Sequence, residues 1–396
     1  MKPVPKSIAK NATQEALKSA KLIAVLGPVS AQIAFVIELT LVPVVLHSIQ
    51  ADLGLSLQQI AMVFNAYSIA MAVGILCCAL MEGRLNSFKL FGIGVAFFFV
   101  GSAFICWTND QLTLIIGRAC QGLGAGLFTP LIPVLLTQAT PDRPGRALML
   151  WGSAAGYIAA FAPMAYGTFL TGSTWRFAFF IIALVAVLSL ILTAISETSL
   201  KPKSNERKTT KYGAIFGSKK LLLTFVYVFV TYGAITFYLF RIPLSLAETG
   251  MGTTGISIVL SVLWLSFSFK STLLRNLVDD HRLKSIMVSA PFFIAFGMTF
   301  ALSENLLLVV LSACLVGCGL ACSNAPSTQL VLRNAPKGLS ALATSIDISV
   351  ARLGGIITVT ALAEITLTAS VMIMSVSCMF AVAFALIIVA PTQNSR

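Results

Sequence analysis

Twelve mostly apolar stretches of about twenty residues or more run through this chain, and its Lys and Arg residues gather in every second gap between them. Crossing ~30 Å of hydrocarbon takes ~20 residues of helix at ~1.5 Å each, so every stretch is long enough to span a bilayer. The stretches fall at about 22–47, 58–81, 88–107, 111–138, 147–170, 176–196, 221–247, 254–277, 284–302, 305–330, 339–366 and 369–390. The first lacks a small-residue cleavage site and is read as a retained helix rather than a signal peptide. Asn11 with Gln14 reads as a capping pair that opens a short separate helix ahead of it.

Alternating basic gaps mean that one face of a membrane meets nearly all the cations. On that face lie residues 1–21, the pairs Arg84/Lys89 and Arg143/Arg146, then Arg275, Arg282, Lys284, Arg333, Lys337 and Arg396. The remaining gaps carry acids instead: Asp52, Asp110, Glu248 and Glu304. Both termini are therefore expected in the cytoplasm. The longest gap, 197–220, holds Lys201, Lys203, Arg207, Lys208, Lys211, Lys219 and Lys220. It predicts a cytoplasmic segment (1–21), a six-helix bundle (22–196), a basic linker (197–220), a second six-helix bundle (221–390) and a short tail (391–396). Such a 6+6 division is what transporters built from two repeated halves show. Of the 27 Lys and Arg residues, only Arg118, Arg176, Arg241, Lys270 and Arg352 escape the orientation pattern.

Only 10% of the residues are charged, against roughly 25% in soluble domains. The net charge of +13 is dispersed among short loops, which suits anionic lipid and argues against nucleic acid. All eight cysteines lie inside apolar stretches, where no oxidising compartment would pair them. Cys314, Cys318 and Cys322 share one helix stripe, but among Ala313, Gly317 and Gly319 they read as small residues for close packing rather than a metal site. No Walker motif, metal cluster or nucleophile–base–acid set is present, so neither ATP hydrolysis nor an enzyme is expected, and no cofactor.

The fourth stretch contains Arg118-Ala-Cys-Gln121-Gly122-Leu-Gly124-Ala-Gly126. A dinucleotide fingerprint would need a preceding strand; inside a membrane helix the glycines admit a close neighbour. Gly152, Gly156, Ala162-Pro163 and Gly167 follow on the fifth stretch, then Trp175-Arg176-x-x-Phe179. The first stretch offers Glu38-Leu-Thr40-Leu-Val-Pro43.

On these motifs the chain resembles the major facilitator superfamily, in particular its multidrug proton-antiporter branches. The Arg118–Gly126 string matches the helix-4 pattern R-x-x-Q-G-x-G-a. Gly152 to Gly167 echo the helix-5 antiporter pattern, with Ala162 and Tyr166 in place of two glycines. Glu38 stands at the family's helix-1 acid. The loop 2–3 hallmark departs: Glu82 stands at its acid, but Gly83 replaces the arginine. The resemblance implies an all-α integral membrane protein of the major facilitator fold, twelve transmembrane helices in two pseudo-repeated halves. It also implies a multi-pass protein of the bacterial inner membrane that acts as a monomer on a small molecule, with the proton gradient as energy source.

Depth sharpens the sites. Glu38 lies about 5 Å and Arg118 about 10 Å outward of their helix centres, so the two can pair if their helices are neighbours. The pair is either a proton-coupling device or a static ion pair. Lys270 and Asp347 both lie about 7–8 Å toward the cytoplasm, so the two can form a second pair, as gate or strut. Arg352, near the centre of its helix, and Arg241 are candidate substrate ligands, together with Asp347, Lys270, Asn65, Tyr67 and Asn324. Gln121, Gly122, Gly124, Gly126, Gly152, Gly156, Pro163, Gly167 and Glu82 are assigned structural roles.

The expected function is proton-coupled export of a small amphiphilic organic molecule, one carrying an anionic group such as a siderophore being favoured by the excess of membrane cations. The alternatives are import of an organic anion and, from another class, a non-transporting receptor or sensor.

Overall fold

The computed structural model describes residues 6–81, 85–140, 144–169, 174–197, 215, 217–274, 283–336 and 339–388. Glu82, the 391–396 tail and most of the 197–220 linker lie outside the described residues. The described residues form thirteen helices: α1 (Lys6–Leu53), α2 (Leu57–Met81), α3 (Ser87–Ile105), α4 (Gln111–Phe128), α5 (Leu131–Ala139), α6 (Pro144–Phe169), α7 (Trp175–Glu197), α8 (Lys219–Glu248), α9 (Thr253–Leu274), α10 (Leu283–Phe300), α11 (Leu306–Asn334), α12 (Ser340–Leu362) and α13 (Leu367–Ile388).

These map onto the twelve expected spans with one exception. The fourth span is two helices, α4 and α5, bent by 42° at Thr129-Pro130. Pro130 has no N–H to offer the preceding turn, so the helical ladder stops there. Among the described residues nine helices are individually long and apolar enough to cross a membrane, and the bent pair adds a tenth. α1 also differs from expectation. It runs unbroken from Lys6, so Asn11 and Gln14 sit within it rather than opening a separate helix.

Helices α1 to α7 pack among themselves, α4 lying against both α2 and α3, and α7 against α1 and α3. Helices α8 to α13 form the other group, with α8 against α12 and α11 against α9 and α10. The groups meet along the α2–α12 and α6–α9 seams and where α1 approaches α8. Lipid tails are as apolar as the side chains, so hydrophobic burial alone does not hold such helices together; close backbone approach and interhelical hydrogen bonds do. The α4 glycines supply that approach. A Cβ on Gly122 would strike the Tyr67 carbonyl, one on Gly126 the Met71 carbonyl, and one on Gly124 the backbone of Gly94 and Phe98. In the other group Gly317 stands against Leu263 and Gly354 against Phe229.

One end of the bundle is fastened by Arg176 at the start of α7. Its guanidinium donates to Asp52 at 2.8 Å, to the Thr108 carbonyl at 2.7 Å and to Asn109 at 3.1 Å. Trp175 donates to the same Asp52 carboxylate at 2.9 Å. The ends of α1 and α3 are thereby tied to α7 at the acid-bearing end, where Asp52, Asp110 and Glu248 lie. Asp110 opens α4 at that end, accepting from the Thr113 amide at 3.0 Å and its hydroxyl at 2.7 Å. Those two donors hold its carboxyl below the usual carboxylate range.

Candidate functional site

Glu38 on α1 and Arg118 on α4 meet inside the α1–α7 group, 1% and 2% exposed. Arg118 Nη1 donates to Glu38 Oε1 at 2.6 Å and to Gln121 Oε1 at 2.7 Å. Gln121 in turn donates to the Ser102 hydroxyl at 2.8 Å, and Ser102 donates to the Phe98 carbonyl at 2.7 Å. Arg118 and Gln121 are three positions apart, which puts both on one face of α4. The Arg118 guanidinium also lies over the Tyr67 ring, its Cζ 4.4 Å from the ring centroid, close enough for cation–π attraction. The packing of Gly122 on the Tyr67 carbonyl brings α2 near enough for this stack.

The pair is incompletely satisfied. Glu38 Oε2, Arg118 Nε and the Tyr67 hydroxyl are buried without a hydrogen-bond partner. Glu38, Arg118 and Tyr67 line a narrow cavity of about 40 Å³, with Phe64, Thr236, Leu239 and Arg352 on its other walls.

A larger cavity of about 220 Å³ shares Leu39, Thr236, Leu239 and Arg352 with the first. Its remaining walls come chiefly from the α8–α13 group: Tyr232 and Ile235 of α8, Trp264 of α9, Leu320, Asn324 and Thr328 of α11, and Asp347, Ile348 and Ala351 of α12. Tyr232 donates to Asn324 Oδ1 at 2.8 Å. Asp347 is 5% exposed with Oδ1 lacking a partner, and Trp264 is 7% exposed with Nε1 lacking one. Arg352 thus stands between two buried acids, Glu38 beside one cavity and Asp347 beside the other.

Of the expected ligands, Arg352, Asp347 and Asn324 line the larger cavity, and Tyr67 lines the smaller. The other three are placed elsewhere. Asn65 donates to Thr360 Oγ1 at 2.9 Å and to the Ile356 carbonyl at 3.3 Å, bridging the α2–α12 seam. Arg241 reaches along its own helix to Glu248 at 3.2 Å, at the acid-bearing end. The Lys270–Asp347 pair that equal depth allows does not form: the Lys270 ammonium sits 5.9 Å from the Phe293 ring centroid. Equal depth on two helices says nothing about which way each side chain points, and α9 turns Lys270 toward α10. Tyr232, Thr236 and Thr328 are cavity residues that the sequence reading did not single out. Their signal was polarity in the middle of apolar stretches.

On α6, Gly156 lies against Ser268 of α9 and Gly167 against Ser257, while the Thr254 hydroxyl donates to the Gly167 carbonyl at 2.7 Å. Pro163 stands inside the same helix. Gly152 belongs to α6, but its surroundings lie outside the described residues. All eight cysteines are free thiols, and among the described residues no group of His, Cys, Asp and Glu could hold a metal ion.

Comparison with known proteins matches residues 29–359 to the Major Facilitator Superfamily. The chain is 30% identical over 172 residues to the tetracenomycin C resistance and export protein of Streptomyces glaucescens, covering 42% of this chain and 32% of that one. It is 32% identical over 148 residues to the multidrug export protein EmrB of Haemophilus influenzae, covering 37% of this chain and 29% of that one. The chain spans about a third of the length of the curated relatives it matches. In fold it is similar to the nucleoside transporter NupG (TM-score 0.71, 12% identity, 93% of this chain and 98% of that one). It is also similar to a D-xylose–proton symporter (TM-score 0.73, 16% identity, 92% and 96%).

Proposed function

Because the chain belongs to the Major Facilitator Superfamily, we propose that it is a secondary transporter that exports a small amphiphilic organic molecule in exchange for protons, from the cytoplasm of a bacterium across its inner membrane. The observation that carries the reading is the buried Glu38–Arg118 pair beside a cavity that adjoins a second, larger one through Arg352. Relatives named for drug resistance and export support the direction.

In this reading Glu38 is the proton carrier. A lone charge in hydrocarbon costs about 2.5–3.5 kcal/mol on insertion scales, which the pairing with Arg118 offsets. Protonating Glu38 removes Arg118's counter-ion and leaves the guanidinium to seek another. Thr236, Leu239 and Arg352 are common to both cavities, so a shift of charge beside Glu38 is felt where substrate would sit. Substrate and proton then compete for one charge balance and cross in opposite directions as the two halves rock. The seam bonds Asn65–Thr360 and Thr254–Gly167 must part when the acid-bearing end opens. The division into bundles at 22–196 and 221–390, with cytoplasmic termini and a monomeric unit, belongs to the same proposal.

A second reading, import of an organic anion, draws on the absence of any hydrogen bond or ion pair to Arg352 among the described residues. The two readings give opposite results in proteoliposomes loaded with labelled drugs, siderophores and organic acids. After an imposed pH jump, an exporter that exchanges substrate for protons accumulates substrate in the more acidic compartment. Accumulation in the alkaline compartment would favour import, and failure of counterflow for every compound would favour a receptor.

A further inference from the structure

We propose that the larger cavity takes a zwitterionic amphiphile, its ammonium group against Asp347 and its anionic group against Arg352. The proposal rests on reading this cavity as the transport site, and it names the substrate class that the reading leaves open.

Three arginines that escape the loop pattern have a carboxylate: Arg118 has Glu38, Arg176 at the bundle end has Asp52 and Arg241 has Glu248. Arg352 has no hydrogen bond or ion pair among the described residues, although Asp347 stands five positions before it on the same helix and lines the same cavity. Five residues turn a helix by roughly 140° beyond a full turn, which keeps the two side chains from closing on each other. The cavity therefore holds an acid and a base that are not paired.

A buried charge without a partner is unfavourable, and removing one member of a buried pair leaves the other uncompensated. A ligand with a single charge would balance one of these groups and strand its opposite. A zwitterion balances both. The rest of the lining fits the uncharged body of such a molecule. Ile235, Leu239, Leu320 and Ile348 supply apolar wall, and the Trp264 and Tyr232 rings supply faces that attract an ammonium group. The unpartnered Trp264 N–H offers one further donor to the anionic group. Drug-binding pockets commonly run ~300–1,000 Å³, so a cavity of about 220 Å³ suits a compact ligand, one ring with a short chain.

The test uses three compounds on one skeleton: 4-(4-aminobutyl)benzoate, its methyl ester (cation only) and its N-acetyl derivative (anion only). Binding to the purified full chain in detergent is measured by calorimetry, with no pH gradient. The zwitterion is expected to bind at least about tenfold more tightly than either derivative. Asp347→Asn should erase its advantage over the N-acetyl compound, and Arg352→Gln its advantage over the ester. Arg352→Lys should restore the latter, and thermal unfolding shows that each variant is folded. Equal or tighter binding of either single-charge compound, no binding of any of the three to folded protein, or an advantage that survives both substitutions overturns the proposal. Those outcomes leave proton-driven export untouched. Conversely, tight zwitterion binding by a chain that moves nothing in vesicles would sink the transport reading and keep the site.

Discussion

Gln121 and Arg118, one turn apart on α4, act through a single nitrogen: Arg118 Nη1 lies 2.7 Å from Gln121 Oε1 and 2.6 Å from Glu38 Oε1. The glutamine is itself held through Ser102 to the α3 backbone. Helix α3 therefore sets the direction of a guanidinium that it does not bond, and the ion pair has one geometry rather than many. A hydrogen bond to a charged group contributes about 1.5–3 kcal/mol. Gln121→Leu should lower the thermal midpoint of the purified protein by that order of stability. Ser102→Ala, one step further from the charge, should cost no more than ~1 kcal/mol. Equal losses would mean that the relay does not run through Gln121.

Glu38→Gln keeps the shape of the acid and removes its charge. Substrate accumulation driven by a pH gradient should fall at least about tenfold, while counterflow of labelled substrate, which needs no proton, continues. The variant should also be less stable, because breaking a buried pair typically costs ~3–5 kcal/mol. Gradient-driven accumulation at the wild-type level would remove Glu38 from the coupling mechanism.

Two glycine substitutions separate helix approach from helix propensity. Gly122→Ala puts a methyl group onto the Tyr67 carbonyl, where no flexible side chain can yield; overpacking of this kind costs ~1–3 kcal/mol. It also pushes Tyr67 off the Arg118 guanidinium. Gly92→Ala, on α3 with open space around the new carbon, should be neutral or stabilise by up to ~1 kcal/mol. Thermal unfolding of both variants checks the contrast, and a Gly122→Ala protein as stable as Gly92→Ala would contradict the close approach of α2 and α4.

Asn65 bridges α2 to Thr360 of α12 and does not line either cavity. Interhelical hydrogen bonds in membranes average ~0.6 kcal/mol, so Asn65→Ala should shift the balance of open and closed states by roughly threefold. The turnover number changes and KM does not. A KM effect as large as that of Arg352→Gln would return Asn65 to the list of substrate ligands.

Much of the fold was legible in order, because a membrane helix must be long, apolar and internally hydrogen-bonded whatever its neighbours. Pro130 is visible in the sequence too, but hydropathy averages across a break of two residues and does not show the bend in the fourth span. Depth together with the helix-1 and helix-4 resemblance lets Glu38 and Arg118 pair if their helices are neighbours, and the two lie 2.6 Å apart. The same depth arithmetic failed for Lys270 and Asp347. Rise per residue fixes height along a helix, but the direction a side chain takes around the axis depends on how that helix is rotated against its neighbours.

By itself, the sequence determined the order and approximate ends of the helices, since these follow from local composition and a fixed rise of ~1.5 Å per residue. Tertiary structure alone decided where the other membrane charges go. It sent Arg241 to Glu248 and Lys270 to Phe293, and left Arg352 between two cavities with Asp347 within the same walls. Side-chain direction depends on how each helix is rotated against its neighbours, set by where glycine lets two backbones close together, and the rise along a single span does not record it.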